Sequence, residues 1–215
     1  VVAPPALGAT FDSYQILSLF HTGSHYRLYK AMDNESGKTV VLKFPNPKYA
    51  RDPSFAERFL YEEWVGKRLN CAHLLPVLSP RPGRRTALYS ILAYQHGKNL
   101  SARMQRKGNL SVRETLFHAG QILEAVGELH AQGVIHGDLR PKNILLDKKN
   151  KRLLLLSPGT AHSTSPGSNK KISTASEGNC SYLAPELFAG KPASTASDIY
   201  AVGAMLYRFL TGKYP

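Results

Sequence analysis

The feature that most constrains this chain is the segment His136–Asn143, which reads HGDLRPKN and leads directly into the apolar run Ile144-Leu145-Leu146. A carboxylate at Asp138 can accept a proton from a hydroxyl group, and an amide oxygen at Asn143 can bind Mg²⁺. Pro141 is typical of a turn, and the run after it has the composition of a short buried strand. These residues predict either a catalytic loop that enters a strand or an ordinary turn before one.

Further motifs accompany this segment. Upstream, the run Thr39–Lys43 is apolar and β-branched, and it predicts a strand whose terminal lysine reaches phosphates, although such a lysine is usually a solvated surface residue. Downstream, Ala184-Pro185-Glu186 precedes Ser197–Gly203, which opens an apolar helix predicted to run to Gly212. Because the motifs occur together in this order and at these distances, they indicate a single fold with an enzyme's motifs rather than chance matches.

These motifs resemble those of the Hanks-type, eukaryotic-like protein kinase family, and the likeness extends from Phe11 to Pro215. The resemblance implies an α+β, two-lobed fold. A small antiparallel sheet with one helix would form the first lobe, a larger and mainly helical lobe would follow, and ATP would bind in the cleft between them. The implied boundaries are a linker over residues 1–10, the first lobe over 11–95 and the second over 96–215. The second lobe is expected to be C-terminally truncated, because the chain ends soon after the helix that contains Asp198.

A narrower likeness concerns residues 41–75, VLKFPNPKYARDPSFAERFLYEEWVGKRLNCAHLL, and the later run HGDLRPKNILL. Both resemble the kinase half of bacterial fusion proteins that join a metal-dependent protein phosphatase to a serine/threonine kinase-like domain. The resemblance implies a protein partner or substrate, and an attached or separate phosphatase as a further partner. Residues 1–10 would then connect this domain to an upstream one.

Apolar periodicity predicts the individual elements. Strands are expected over Tyr14–Phe20, Tyr26–Met32, Lys38–Phe44, Leu74–Leu78 and Ala87–Tyr94, and helices over 54–69, Leu100–Arg106 and Ser111–Gln132. Ser111 is the predicted N-cap of the longest of these helices, with Glu114 placed to complete a capping box.

The resemblance assigns the nucleotide-binding roles. Lys43 would contact the α- and β-phosphates of ATP and pair with a helix glutamate, for which Glu62 fits the spacing better than Glu63. The other positions implied to line the nucleotide site are Gly23, Leu28, Val41 and Leu145.

The resemblance also assigns the catalytic roles. Asp138 would accept the proton of the substrate hydroxyl, and Asn143 would bind the metal. Arg140 stands where the family has lysine near the transferred phosphoryl group, which keeps the charge but changes its geometry. Asp198 would brace the catalytic loop from behind.

The chain departs from the family pattern at the metal site. Ser157-Pro158-Gly159 stands where the family has Asp-Phe-Gly, so a neutral hydroxyl replaces the carboxylate that holds Mg²⁺. Metal ions contribute several kcal/mol to catalysis, and a loss of about three steps of 1.4 kcal/mol would slow turnover roughly a thousandfold.

Further departures affect phosphate binding and activation. The three glycine positions of the family's phosphate-binding loop fall on His21, Gly23 and Tyr26, so one glycine is retained. Gly137 replaces the family's arginine, and Asn179 stands where serine/threonine kinases have threonine. Together these substitutions predict impaired catalysis.

The net charge of +13 does not by itself indicate a nucleic-acid-binding protein. The basic clusters Arg81–Arg85, Lys148–Arg152 and Lys170-Lys171 lie in predicted turns, with no interleaved aromatic residues and no nucleic-acid-binding motif. An acidic partner or an anionic membrane surface is favoured over nucleic acid.

Other observations bear on the compartment. The cysteines, Cys71 and Cys180, have neither a disulfide framework nor metal-ligand spacing, which favours a reducing cytoplasm. The longest interior apolar run, Leu153–Leu156, is far shorter than the ~20 residues that a membrane span requires. A cytoplasmic fragment without a membrane span is predicted.

Three hypotheses remain open on these residues. The first is a pseudokinase, a regulatory or scaffolding module for which ATP is the implied cofactor and Mg²⁺ or Mn²⁺ is expected to bind weakly. The second is an active protein serine/threonine kinase with unusual metal handling, since Lys43, Asp138 and Asn143 are retained. The third is a small-molecule phosphotransferase, because the HGD loop also resembles that of aminoglycoside and choline kinases.

Overall fold

A computed structural model describes residues 5–23, 25–49, 52–80, 83, 85–147, 152–156 and 180–215. Ser157-Pro158-Gly159 and Asn179 lie outside these residues. The chain divides into two compact units, one of Val1–Arg68 with Leu75–Gln95 and the other of Leu69–Leu74 with His96–Pro215. Each unit has its own core.

The first unit is an antiparallel sheet with a helix. Its strands are β1 (Thr10–Phe11), β2 (Tyr14–Thr22), β3 (Tyr26–Asp33), β4 (Thr39–Pro45), β5 (Val77–Leu78) and β6 (Ser90–Ala93), and helix α1 spans Pro53–Arg68. The strands are ordered β1-β2-β3-β4-β6-β5. Gly37, at a positive φ of 67°, closes the tight turn between β3 and β4.

Both faces of β4 are buried, and they differ in chemistry. Val40, Leu42 and Phe44 point into the apolar core of the sheet, together with residues of β2, β3 and β6. Side chains alternate along a strand, so Val41 and Lys43 lie on the opposite face. This alternation places a charged side chain on a buried surface.

The second unit is mainly helical. Its elements are β7 (Gly97–Asn99), α2 (Leu100–Lys107), α3 (Val112–Ala131), β8 (Ile144–Asp147), β9 (Leu153–Leu155), α4 (Pro185–Phe188) and α5 (Thr195–Thr211). The strands form a small antiparallel sheet in the order β7-β8-β9. Helices α2, α3 and α5 pack with β8 and β9 around one apolar core.

Helix ends in this unit follow local sequence signals. Ser111 caps α3, and its side chain and that of Glu114 form the predicted capping box. Helix α5 begins two residues before the predicted start, because Ser194 caps it by accepting a hydrogen bond from the Ser197 backbone amide. Gly212 ends α5 in the left-handed conformation.

The strand predicted over Leu74–Leu78 is wrong in its first part, since β5 contains Val77 and Leu78 alone. Leu74 instead forms a parallel bridge with Leu155 and is buried in the core of the second unit. The chain therefore passes from one unit to the other within a run that is apolar in both.

The strand predicted over Ala87–Tyr94 is also shorter than expected, since β6 begins at Ser90. The carbonyl oxygens of Ala87 and Tyr89 accept hydrogen bonds from the Arg85 side chain. A side chain thus takes the place of a neighbouring strand at these positions.

None of the helices in the described part of the chain combines the length and apolar composition needed to cross a bilayer.

The capping box of α3 predicts a pH dependence. The hydrogen bond from the Ser111 backbone amide, together with Arg103, lowers the pKa of Glu114 below its ordinary value of 4.5. A carboxyl group with a depressed folded-state pKa adds stability above its unfolded pKa, and this stability is lost as pH falls through the folded pKa. Glu114→Gln is therefore expected to lower the free energy of unfolding at pH 7, by an amount that shrinks below pH ~4.

Urea denaturation of both proteins at several pH values measures this difference. Ser111→Ala removes the other half of the box and is expected to cost about 1 kcal/mol. A difference between wild type and Glu114→Gln that stays constant down to acid pH would contradict the assignment.

Candidate active site

The candidate residues of the first unit include a buried ion pair on the second face of β4. The Lys43 ammonium donates a hydrogen bond of 2.6 Å to the Glu62 carboxylate on α1. Lys43 is 7% exposed and Glu62 is 6% exposed. The expected pairing with Glu62 rather than Glu63 is confirmed, whereas the role of Lys43 in ATP binding stays a prediction.

The neighbouring carboxylate, Glu63, holds α1 from another direction. It forms ion pairs with Lys67, one turn further along α1, and with the Arg85 guanidinium, which lies 3.0 Å from one of its oxygens. Arg85 in turn donates to the carbonyl oxygens of Ala87 and Tyr89, just before β6. Helix α1 is thus attached by one carboxylate to β4 and by the next to the segment that leads into β6.

An aromatic ring covers the Lys43 ammonium. The Nζ atom lies 3.8 Å from the centre of the Tyr26 ring and 5.7 Å from that of Phe59. These distances fit cation–π contacts, in which the ring face attracts the cation. Tyr26 occupies the third glycine position of the phosphate-loop pattern, so a side chain lies where the family pattern has none.

The other predicted nucleotide-binding residues are divided between the units. Leu28 pairs in register with Lys43 across β3 and β4, and Val41 lies on the same face. Gly23 precedes β3, and its amide donates to the Tyr26 carbonyl oxygen over 2.8 Å. Leu145 belongs to β8 in the second unit.

The candidate residues of the second unit lie in the loop before β8. The Asn143 amide nitrogen donates 2.8 Å hydrogen bonds to the Asp138 backbone oxygen and to its carboxylate. Arg140 Nε lies 3.1 Å from the other oxygen of that carboxylate. The loop thus brings Asp138, Arg140 and Asn143 together.

Asp198 holds this loop from the start of α5, as predicted. One of its carboxylate oxygens accepts from the His136 backbone amide and lies 2.9 Å from His130 Nε2, and the other accepts from the Gly137 amide. Asp198 is 2% exposed, so a buried charge is satisfied mainly by backbone donors. Gly137 has a positive φ of 72°, which glycine adopts without strain.

His136 connects the loop to the end of β9. It is fully buried, and its Nδ1 accepts from the Asp138 backbone amide while Nε2 lies 3.2 Å from the Leu156 carbonyl oxygen. Because Nδ1 accepts, Nε2 carries the proton and donates to Leu156. The Leu156 amide also donates to the Asn143 carbonyl oxygen. The residue before Ser157 is therefore fixed beside the loop.

Asn143 is the predicted source of an oxygen ligand for a metal ion. Its amide nitrogen faces two acceptors in Asp138, so its Oδ1 is oriented as an acceptor, and no hydrogen bond reaches that oxygen from the described residues. Over the same residues, no three His, Cys, Asp or Glu side chains are close enough to share a metal ion. The described loop can offer Mg²⁺ the Asn143 amide oxygen and the Asp138 carboxylate, which are ligands of the type that this cation binds.

The sequence does not predict the roles of Arg85 and His136. Arg85 belongs to the basic cluster Arg81–Arg85, which the sequence predicts to lie in a turn. Tyr26, in contrast, stands at a glycine position of the family's phosphate-binding loop, where its bulk is predicted to hinder the approach of phosphates. The position of the Tyr26 ring could be predicted from the sequence. Tyr26 lies two residues before Leu28, so both side chains lie on the face of the sheet that carries Lys43.

The buried ion pair predicts that removing one partner lowers the free energy of unfolding much more than removing both partners together. Lys43→Met leaves Glu62 buried without its partner and is expected to destabilise the first unit by about 3–5 kcal/mol. Lys43→Met combined with Glu62→Gln is expected to cost much less than the sum of the two single substitutions. The fluorescence of Trp64, which lies on α1 and is the single tryptophan of the chain, reports the unfolding in urea.

Lys67→Met is the matched control, because the Lys67 side chain is 26% exposed and Glu63 keeps Arg85. This substitution is expected to cost less than about 1 kcal/mol. A Lys43→Met protein as stable as the control would show that the pair is solvated.

Comparisons with known proteins agree with this geometry. The protein kinase domain family matches residues 14–215. A probable serine/threonine-protein kinase, pknA2, of Bifidobacterium longum is 31% identical over 209 residues, which are 94% of this chain and 27% of the relative. Serine/threonine-protein kinase PknA of Mycobacterium tuberculosis is 30% identical over 223 residues, covering 98% of this chain and 50% of the relative. This chain therefore spans half or less of the length of these curated relatives.

The fold comparison gives the same result. The crystal structure of the Mycobacterium tuberculosis PknI kinase domain matches with a TM-score of 0.73 and 26% identity, over 99% of this chain and 79% of that one. The predicted α+β protein-kinase fold is thus confirmed. With a family match over nearly its whole length, this chain belongs to the protein kinase family, and its relatives are bacterial serine/threonine kinases.

Proposed function

We propose that this domain is a pseudokinase, a kinase fold that acts as a regulatory or scaffolding module and transfers phosphoryl groups weakly or not at all. Its partner would be a protein, with an attached or separate phosphatase as one candidate. ATP would be its nucleotide, and Mg²⁺ or Mn²⁺ would bind weakly. A cytoplasmic site of action belongs to the same proposal.

The observation that carries this proposal is the enclosure of Lys43. A phosphate-binding lysine must present its ammonium to anionic oxygens. The pair with Glu62 belongs to the kinase pattern and does not oppose phosphate binding. The Tyr26 ring, in contrast, lies 3.8 Å from the ammonium, and Lys43 is 7% exposed. A phosphate group would have to displace the ring before it reached Nζ.

The residues expected to bind the metal support the same proposal. Mg²⁺ requires near-octahedral oxygen ligands and in kinases bridges the phosphates of ATP, where it neutralises developing charge. Asn143 would offer its amide oxygen, and Ser157 stands in place of the second ligand, a carboxylate. Removing one anionic ligand lowers the attraction of this site for a divalent cation.

A second candidate, an active serine/threonine kinase, is supported by the second unit. Asp138 keeps its carboxylate beside Arg140 and Asn143, and Asp198 holds the loop backbone. These side chains are the ones that would accept the hydroxyl proton and position the transferred group. Small-molecule phosphotransfer is less well supported, because the Ala184-Pro185-Glu186 motif and the Asp198 helix follow the protein kinase pattern.

Phosphotransfer assays with radiolabelled ATP and either Mg²⁺ or Mn²⁺ test the proposal. Autophosphorylation and transfer to a general protein substrate are expected to remain at the level of Asp138→Asn. A rate well above that of Asp138→Asn would establish the active kinase instead.

Calorimetric titration with ATP, with and without metal, separates binding from chemistry. The wild type is expected to show little metal-dependent binding of ATP. The double variant Tyr26→Gly with Ser157→Asp is expected to bind ATP more tightly, because it removes the ring over Lys43 and supplies a carboxylate for the metal. Lys43→Ala in the double-variant background should abolish the gain. Tight, metal-dependent binding by the wild-type chain would contradict the proposal.

A further inference from the structure

The turn between β2 and β3 is tied to the segment that joins β4 to α1. Tyr26 pairs in register with Pro45 at the end of β4, and one residue further the Asn46 amide donates to the His25 carbonyl oxygen over 2.7 Å. The Asn46 side-chain amide also reaches the Gly23 carbonyl oxygen at 3.3 Å. The turn therefore does not project freely from the sheet.

A stack of aromatic rings reinforces this connection. The His25 ring lies nearly parallel to that of Tyr49, with centroids 5.2 Å apart. Tyr49 stacks in turn on Phe55, at 4.7 Å and an interplanar angle of 5°. Phe55 is buried at the start of α1, so the stack ends on the body of the unit.

The same helix also receives the ring that covers Lys43. Tyr26 lies 5.7 Å from Phe55 and 5.9 Å from Phe59, measured between ring centroids. His25 and Tyr26 are consecutive, and their rings share Phe55 as a neighbour, at centroid distances of 6.4 and 5.7 Å.

We propose that this arrangement is an autoinhibitory latch. The His25–Tyr49–Phe55 stack and the Asn46 hydrogen bonds hold Tyr26 over Lys43, and the ammonium becomes accessible to an anionic phosphate when the stack separates. The inference rests on the proposed function, because it explains how nucleotide access to Lys43 is regulated. Tyr49 is central to the latch and is distinct from the rings in contact with Lys43.

Chemical labelling of Lys43 in the intact chain tests the latch without any nucleotide. The rate of acetylation by an N-hydroxysuccinimide ester, followed by mass spectrometry of the Lys43 peptide, measures how often the ammonium is uncovered. Tyr49→Ala is expected to raise this rate by about two- to tenfold, the range that one aromatic contact is worth. Tyr26→Ala, which removes the cover itself, should raise the rate at least as much.

Tyr61→Ala is the matched control, because Tyr61 stacks on Trp64 on the exposed side of α1. Its Lys43 labelling rate should equal that of the wild type, and acetylation of the exposed Lys107 calibrates the reagent in every protein. If Tyr49→Ala fails to fold, as judged by circular dichroism and Trp64 fluorescence, His25→Ala takes its place and carries the same expectation.

The outcomes separate the latch from the proposed function. If Tyr49→Ala or its replacement labels at the wild-type rate while Tyr26→Ala labels faster, Tyr26 stays in place without the stack and the latch is overturned. Wild-type rates in both variants also overturn it. If both variants label faster at Lys43 and the chain also transfers phosphoryl groups in a way that depends on Asp138, the latch is supported and the pseudokinase assignment is overturned. Faster labelling without phosphotransfer supports both.

Discussion

The buried pair of Lys43 and Glu62 determines how the first unit is assembled. Helix α1 buries the apolar side chains of Phe55, Phe59 and Val65, and it also buries the carboxylates of Glu62 and Glu63. Two buried ions in contact are tolerated because each neutralises the other, whereas either alone would carry a large desolvation penalty. Glu63 and Arg85 add a second ion pair on another side of the helix. The unit therefore keeps a lysine–glutamate pair whether or not it binds ATP.

Asp198 has a comparable role in the second unit. Its carboxylate accepts hydrogen bonds from the amides of His136 and Gly137, and these bonds fix the backbone from which Asp138 projects. The His136 ring then connects the loop to Leu156. Such a network stabilises the fold even without catalysis, which is why an intact loop supports the kinase fold more strongly than it supports activity.

Much of this could be predicted from the sequence, because the determinants are local. The capping box of Ser111 and Glu114, the alternation along β4 and the spacing from Lys43 to Glu62 each involve few residues in a fixed geometry. Contacts between distant side chains were not predictable in this way. Arg85 looked like a turn residue because its partner Glu63 lies far from it in sequence, and the start of β6 moved because the Arg85 side chain takes two carbonyl oxygens.

Two of the departures from the kinase pattern, at Tyr26 and at Ser157, act on the same electrostatic requirement. A nucleotide triphosphate is held by cationic groups that face its oxygens, so the lysine and the metal share one task. At Lys43 the charge and its pairing with Glu62 are retained, but the Tyr26 ring lies 3.8 Å from the ammonium. At residue 157 the anionic ligand that would recruit the metal is a serine. On the pseudokinase proposal, reversing only one of these departures would leave the phosphates facing a single source of positive charge, so both would have to be reversed to restore nucleotide binding.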